Sequence, residues 1–410
     1  MQSAREGLHD EELRTLLDAR LVMFCVLVPG VRARLSAHLV EIRTALGRPL
    51  SDGLRVLLAP LAADMLYSGA CAAEVCRLAE RALAGGEVMR HDVAMDSDFA
   101  LGALASLIYA GSLRTAKHHV DDGIAHARAR ARGSRFALAR LCAYRALLYL
   151  RLGELANAES DAHLALTVEA AWGIPHAIAT AVLAQVQIER GDLHGARRHL
   201  GGLDSDPAML EVAPNQIVRE TQAALLLADG RSREALVILD ACARWQQQLG
   251  GEAILGTVAW RPTAALAHLQ LGEHDEARKL ADCELQLARD FGAAPQLGVA
   301  LRTAAVVAGG AIGLTMLDEA VSLLAPSAAR LEHARTVVQR GMLLRRCGQR
   351  KDATDALRAG VELADRCGAT ALVEGATDQL RLAGARPRRV ATRGRESLTP
   401  GEHRVTTLAA

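Results

Sequence analysis

The residues best spaced for chemistry are few. His118, Asp121 and Asp122 in "KHHVDDG" stand at i, i+3 and i+4. On a helix that spacing puts an imidazole and two carboxylates on one face, where they could hold a metal ion. An ordinary solvated i,i+4 pair explains the same residues, and with no third ligand in view it is the stronger reading. Asp96 and Asp98 in "MDSDFALGA" open like a calcium loop. The sixth position is Leu101, where the sharp turn needs Gly, and no Glu fills the twelfth. Asp96 or Ser97 reads better as a helix cap. Paired acids such as Glu11 and Glu12 fall in a helix face, and no Ser/His/Asp or Cys/His arrangement has supporting local context. No G-x-x-x-x-G-K-[ST] occurs and no Lys follows a Gly, so a phosphate cradle cannot be assigned. The expectation is a chain without catalysis, metal or cofactor.

Composition narrows the classes further. The 410 residues are 50% hydrophobic and 23% charged, enough for a large core but more than one compact globule usually holds. A formal net charge of +1 attracts neither nucleic acid nor an anionic membrane globally. The 8 cysteines include no C-x-x-C pair and read as reduced core residues. The N-terminal stretch mixes acids with bases and lacks an apolar h-region, and the apolar runs at 21–31 and 303–317 are too short to span a bilayer. A cytoplasmic protein with no membrane partner is expected. Trp172, Trp245 and Trp260 lie near helix ends and read first as packing residues, with a ligand surface as the alternative.

The helices that would carry these residues come from a repeated unit. "RLGELANAESD", "ERGDLHGARRH", "ADGRSREALVI" and "QLGEHDEARKL" each place an Ala five residues after a Gly. The pairs are Gly111 and Ala116, Gly153 and Ala158, Gly191 and Ala196, Gly230 and Ala235, Gly272 and Ala277, and Gly348 and Ala353. A weaker copy starts at Gly69, with Ala73 one place early, and another at Gly313, with Ala320 two places late. From Gly69 to Gly348 the glycines recur every 35 to 42 residues. A Gly that ends one helix in the left-handed conformation and an Ala that lets the next approach closely describe a helical hairpin. Leu66, Ile108, Leu150, Ile188, Leu227 and Leu269, each three places before a turn Gly, are expected to point into the hairpin. Prolines at 175, 214, 262, 295 and 326 mark the outer breaks. No alternating strand pattern appears. One hairpin cannot bury its own apolar face, so about 7–8 antiparallel hairpins should stack into an all-α solenoid.

The Gly-then-Ala turn resembles the tetratricopeptide repeat, although that motif usually runs 34 residues and carries more aromatic residues than the 3% found here. From about Arg55 onward the order of segments resembles large LuxR-type regulators, which join an ATPase, a TPR-like region and a C-terminal helix-turn-helix. Residues 327–389 carry the last hairpin and an Arg-rich linker, followed by "SLTPGEHRVTTLAA". There Leu398, Thr399, Glu402 and Val405 fill the family's L-T-x-x-E-x-x-V, with Gly401 a departure from it.

The division this implies is N-terminal helices over 1–54, which form a first repeat or cap, repeats over 55–384, a linker over 385–397, and the start of a helix-turn-helix over 398–410. The recognition helix would lie beyond Ala410. Arg386, Arg388, Arg389 and Arg393 are candidates for phosphate contacts or simply keep a linker solvated. The resemblance implies a non-enzymatic interaction and signal-relay region, with a protein or small effector on the solenoid surface. DNA reading would be confined to a full-length relative with a complete helix-turn-helix. The alternative is a stand-alone TPR-like adaptor for a peptide or protein. Self-association is left open.

Overall fold

Every regular element follows from the hairpin unit. A computed structural model describes residues 11–45, 55–86, 99–129, 134–167, 173–201, 212, 216–249 and 260–385, and among them the elements are helices without a strand. The chain opens with α1 (Glu11–Leu27) and α2 (Pro29–Ala45), separated where Pro29 takes the first position of a new helix. Eight hairpins follow. They are α3 (Arg55–Leu66) with α4 (Ala72–Leu83), α5 (Phe99–Tyr109) with α6 (Leu113–Ala129), α7 (Ser134–Leu152) with α8 (Leu155–Leu166), and α9 (Ile174–Arg190) with α10 (Leu193–Gly201). Next come α11 (Gln216–Ala228) with α12 (Ser232–Gln248), α13 (Trp260–Gln270) with α14 (His274–Phe291), α15 (Ala294–Ala308) with α16 (Gly310–Leu324), and α17 (Arg330–Arg346) with α18 (Arg350–Cys367). A last helix, α19 (Thr370–Leu382), follows. None of these helices is long and apolar enough to cross a membrane.

Seven of the eight hairpin turns carry a left-handed Gly. Gly69, Gly111, Gly153, Gly191, Gly230, Gly272 and Gly348 all take a φ of 74° to 83°. At Gly153 the amide donates to the Leu150 carbonyl at 3.1 Å and the Glu154 amide to the Tyr149 carbonyl at 2.8 Å, which satisfies the last carbonyls of α7. The second helix then starts two residues on, and its fourth residue closes its first turn. Ala116, Ala158, Ala196, Ala235, Ala277 and Ala353 hold that position, each with no exposed surface.

The two weaker copies differ from the expected pattern in an informative way. After Gly69 the connection is one residue longer, so α4 places Val75, not Ala73, at its fourth position; Val75 is buried and Ala73 exposed. The α15–α16 turn is made by Gly309 and Gly310, at φ 64° and 54°. Gly313 is not a turn residue but the fourth residue of α16, where a Cβ would stand 2.5 Å from the Ala305 carbonyl oxygen. The common constraint is therefore a buried residue at the fourth position of the second helix, Val in the first hairpin and Ala or Gly in the others.

The hairpins wind into a superhelix with first helices inside and second helices outside. α14 and α18 bear one apolar stripe and a charged outer face, whereas α5 and α9 are buried almost all round. The main apolar core runs from Ala19 in α1 to Ala369 before α19, with smaller separate clusters such as the one around Leu357 and Leu380. The superhelix also closes on itself. The turn of one hairpin meets the start of the hairpin five further on: Gly111 against Pro295, Gly153 against Leu331, and Gly191 against Ala371. Polar contacts lock this seam between residues 176 to 187 apart in sequence. Gln296 Nε2 donates to the Tyr109 carbonyl, Arg330 Nε to the Leu152 carbonyl at 3.3 Å, and Thr370 Oγ1 to the Arg190 carbonyl at 3.0 Å, while Arg330 pairs with Glu154.

Candidate functional site

Because the inner helices curve round until the ends of the turn meet, they enclose a cavity of about 370 Å³. Its walls come from α5, α7, α9 and α11 on one side and from α13, α15 and α17 on the other. Ile108, Leu150 and Ile188, expected to point into their hairpins, line this space instead. At these three turns the residue three before the Gly lies on the inner face of the superhelix, which the hairpin period alone does not reveal.

The wall is unusually polar for a helical core. Arg335 of α17 pairs with Glu189 of α9 and with Glu332 of its own helix, and Arg302 of α15 reaches Glu332 at 2.6 Å. Burial works to raise the Glu332 carboxyl, but the Arg335 and Arg302 guanidiniums hold it down to about 2. Burial likewise works to lower the Arg335 guanidinium, and Glu189 and Glu332 raise it above its usual value. These four groups form one ion-pair network joining the two halves of the superhelix. Across the cavity, burial pushes the Glu284 carboxyl of α14 up to about 7, since Arg261 approaches only to 3.5 Å and Glu220 adds repulsion.

A further set of cavity groups is uncommitted. The Arg151 guanidinium of α7 lies over the Tyr109 ring, 5.8 Å from its centroid, and makes no ion pair among the described residues. Gln296 uses its amide nitrogen on the Tyr109 carbonyl, leaving Oε1 buried with no hydrogen bond. Gln339 and Thr263 also line the space without a side-chain partner among the described residues. Beside the carboxylates Glu220 and Glu284, the cavity thus offers the Arg151 cation, the Gln296 acceptor and two adaptable polar groups in a partly desolvated setting.

The residues that the sequence singles out lie elsewhere. His118 and Asp122 form an exposed i,i+4 pair at 3.5 Å, and Asp121 instead accepts from Lys117 at 2.5 Å and from Arg145 at 2.9 Å. Arg145 is also bound bidentately by Asp161, which ties α7 to α6 and α8. No group of three or more His, Cys, Asp or Glu is placed to hold a metal among the described residues. Trp245 is buried edge-on to Tyr67 with ring centroids 6.4 Å apart, and Trp260 donates to Gln246 Oε1 at 2.5 Å. Trp172, Asp96, Ser97, Asp98, Arg386, Arg388, Arg389, Arg393, Leu398, Thr399, Glu402 and Val405 lie outside the described residues. The cavity residues Arg151, Glu189, Arg302 and Glu332 went unnoticed in the sequence. Arg151 and Arg302 do interrupt apolar runs, "LLYLRL" and "VALRTAAVV", but such a charge does not say what it faces, and Glu189 and Glu332 stand in polar stretches.

No family model matches the chain, and no curated protein matches it by sequence. Solved structures do resemble it. A Rap protein complexed with competence and sporulation factor superposes with a TM-score of 0.55 at 13% identity, covering 91% of this chain and 97% of that one. A tetratricopeptide repeat protein from Parabacteroides merdae gives 0.38 at 14% identity, covering 72% and 99%. The Cut9–Hcn1 hetero-tetramer of the APC/C gives 0.38 at 13% identity, covering 87% and 83%. At these identities the likeness concerns the fold, a TPR-like helical superhelix, and the Rap protein carries that comparison.

Proposed function

We propose that this chain is a non-enzymatic interaction and signal-relay module that works without a cofactor. A small effector, or a segment of a partner, occupies the cavity, and its presence is passed to the C-terminal helices. The observation that supports this reading best is the cavity's position across the closure. An occupant touches α7 and α9 on one side and α15 and α17 on the other, and α9 is also the helix against which α19 docks. A ligand that prefers the closed superhelix shifts the α9–α19 contact by its difference in affinity between the two states. In its finer form the module is the relay region of a LuxR-type transcriptional regulator, which rests on the resemblance of Leu398, Thr399, Glu402 and Val405 to the start of that family's helix-turn-helix. A second reading is a stand-alone adaptor. It is favoured by the 97% coverage of the Rap protein, whose whole length has this architecture and whose structure contains a bound factor.

The test is thermal unfolding with and without the low-molecular-weight fraction of a bacterial extract. The wild type should be stabilised, and Ala224→Trp, which fills the cavity from α11, should not. No shift in the wild type, or equal shifts in both, would refute the cavity as the effector site. For the finer reading, a promoter fragment and its scrambled counterpart are titrated at two salt concentrations. Weak, sequence-indifferent and steeply salt-dependent binding is expected. Tight discriminating binding would show that this chain reads DNA itself.

A further inference from the structure

The polar lining of the cavity divides into groups that satisfy one another and groups that do not, and the second set describes a ligand. Glu189, Glu332, Arg302 and Arg335 are mutually neutralised. Arg151 lines the cavity without a direct ion pair among the described residues; its guanidinium acts on Glu332 only from a distance. A partly desolvated cation is costly unless a partner arrives, and a planar fork of donors fits a carboxylate bidentately. A monoanion fits this guanidinium better than a dianionic phosphate, which would bring a second charge toward the cavity carboxylates, Glu220 and Glu284 among them. Arg151 stacks on Tyr109, and the carbonyl of the same Tyr109 holds Gln296. The buried Gln296 Oε1, which needs a donor, therefore stands at the same end of the cavity. An N–H close to the ligand's carboxylate would meet that need.

Building on the reading of the cavity as the effector site, we propose that its occupant is a short carboxylate ligand bearing a neighbouring amide, with the carboxylate on Arg151 and the amide N–H donated to Gln296 Oε1. Two sources share this chemistry, a short peptide with a free C-terminus and an N-acylated amino acid. Gln339 and Thr263 meet the remaining polar atoms, and the Ile108, Leu150 and Ile188 side chains meet the apolar ones. A volume of about 370 Å³ suits a ligand of two or three residues and not a folded partner. Since Arg151 belongs to α7 and Gln296 to α15, this ligand bridges the seam at the point where Gln296 already bonds Tyr109.

The experiment is equilibrium dialysis of the full chain against pooled N-acetylated di- and tripeptides, once as free acids and once as C-terminal amides, with N-acylated single amino acids as a third arm. Bound species are read by mass spectrometry. Retention of free acids from the peptide or the acyl pool, with amides lost, is expected, and the pool that is retained identifies the source. Arg151→Gln should weaken retention about thirty-fold or more, and Arg151→Lys should restore part of it. A Gln296→Leu variant that keeps the wild-type melting temperature should lose affinity for acids bearing an amide relative to the corresponding esters. Equal retention of acids and amides, or retention indifferent to Arg151, overturns the carboxylate assignment while leaving the cavity as a site. Retention of no pool by a wild type that the extract fraction stabilises also overturns it, and separates its failure from that of the functional reading.

Discussion

At the scale of single residues, glycines that look identical in sequence do different work. Gly230 faces open space, so only its φ of 74° demands glycine. At Gly153 a Cβ would meet the Leu331 amide at 2.7 Å and the Cys367 sulfur at 2.9 Å as well. Gly230→Ala should cost about 1–2 kcal/mol for the left-handed backbone. Gly153→Ala should cost that and on the order of 1–3 kcal/mol more, because the seam must open. Urea unfolding of the two variants checks the difference. Glu284 supplies a pH signature. Its carboxyl is held up to about 7 in the folded chain, so between the unfolded value near 4.5 and 7 the folded state binds more protons than the unfolded state. Stability should therefore fall as pH rises through that window. Glu284→Gln should flatten this fall, and melting curves at pH 5 and pH 7.5 read it directly.

At the scale of elements, most of the hairpin architecture is legible because a turn and a close approach need particular residue types at fixed spacing. The Gly-to-Ala offset located six turns, and prolines at 175 and 295 fall in the first turns of α9 and α15. The two misplaced copies show what the offset stood for. A turn one residue longer moves the packed position to Val75, and a second Gly in a packing role disguises the true turn at Gly309 and Gly310. The physical invariant is the buried fourth residue of the second helix, and the distance from the Gly follows from it. Ala158→Leu and Ala277→Leu should accordingly overpack their hairpins at a cost of about 1–3 kcal/mol. An unchanged unfolding midpoint in either would show that the first turns of α8 and α14 have room to spare. The candidate site was far less legible. Arg151 or Glu332 carries no local signature, since a charge in an apolar helix reads the same whether it faces solvent, a neighbouring helix or an internal cavity.

At the scale of the whole molecule, closure is the property the sequence hides. Gln296 and Tyr109 are 187 residues apart, and nothing near either announces the other. Their meeting depends on the summed rotation of every hairpin between them. Repeat arrays are ordinarily stabilised by nearest neighbours, so a unit can be added or removed with a local effect. In this superhelix the partners across the seam are particular side chains at an offset of five hairpins. Excising α11 and α12 would present Gly153 to the start of α19 in place of Leu331, and Arg335 would no longer face Glu189. Such a chain should still give the circular dichroism of a helical protein, yet lose the extract-dependent stabilisation and melt in a broader, less cooperative transition. A variant that retained both would show the seam to be incidental. The number of repeats between the seam partners is thus held fixed by a commensurability condition: gene duplication or loss of a hairpin such as α11–α12 or α13–α14, the usual route by which solenoids change length, would put every cross-seam pair out of step at once.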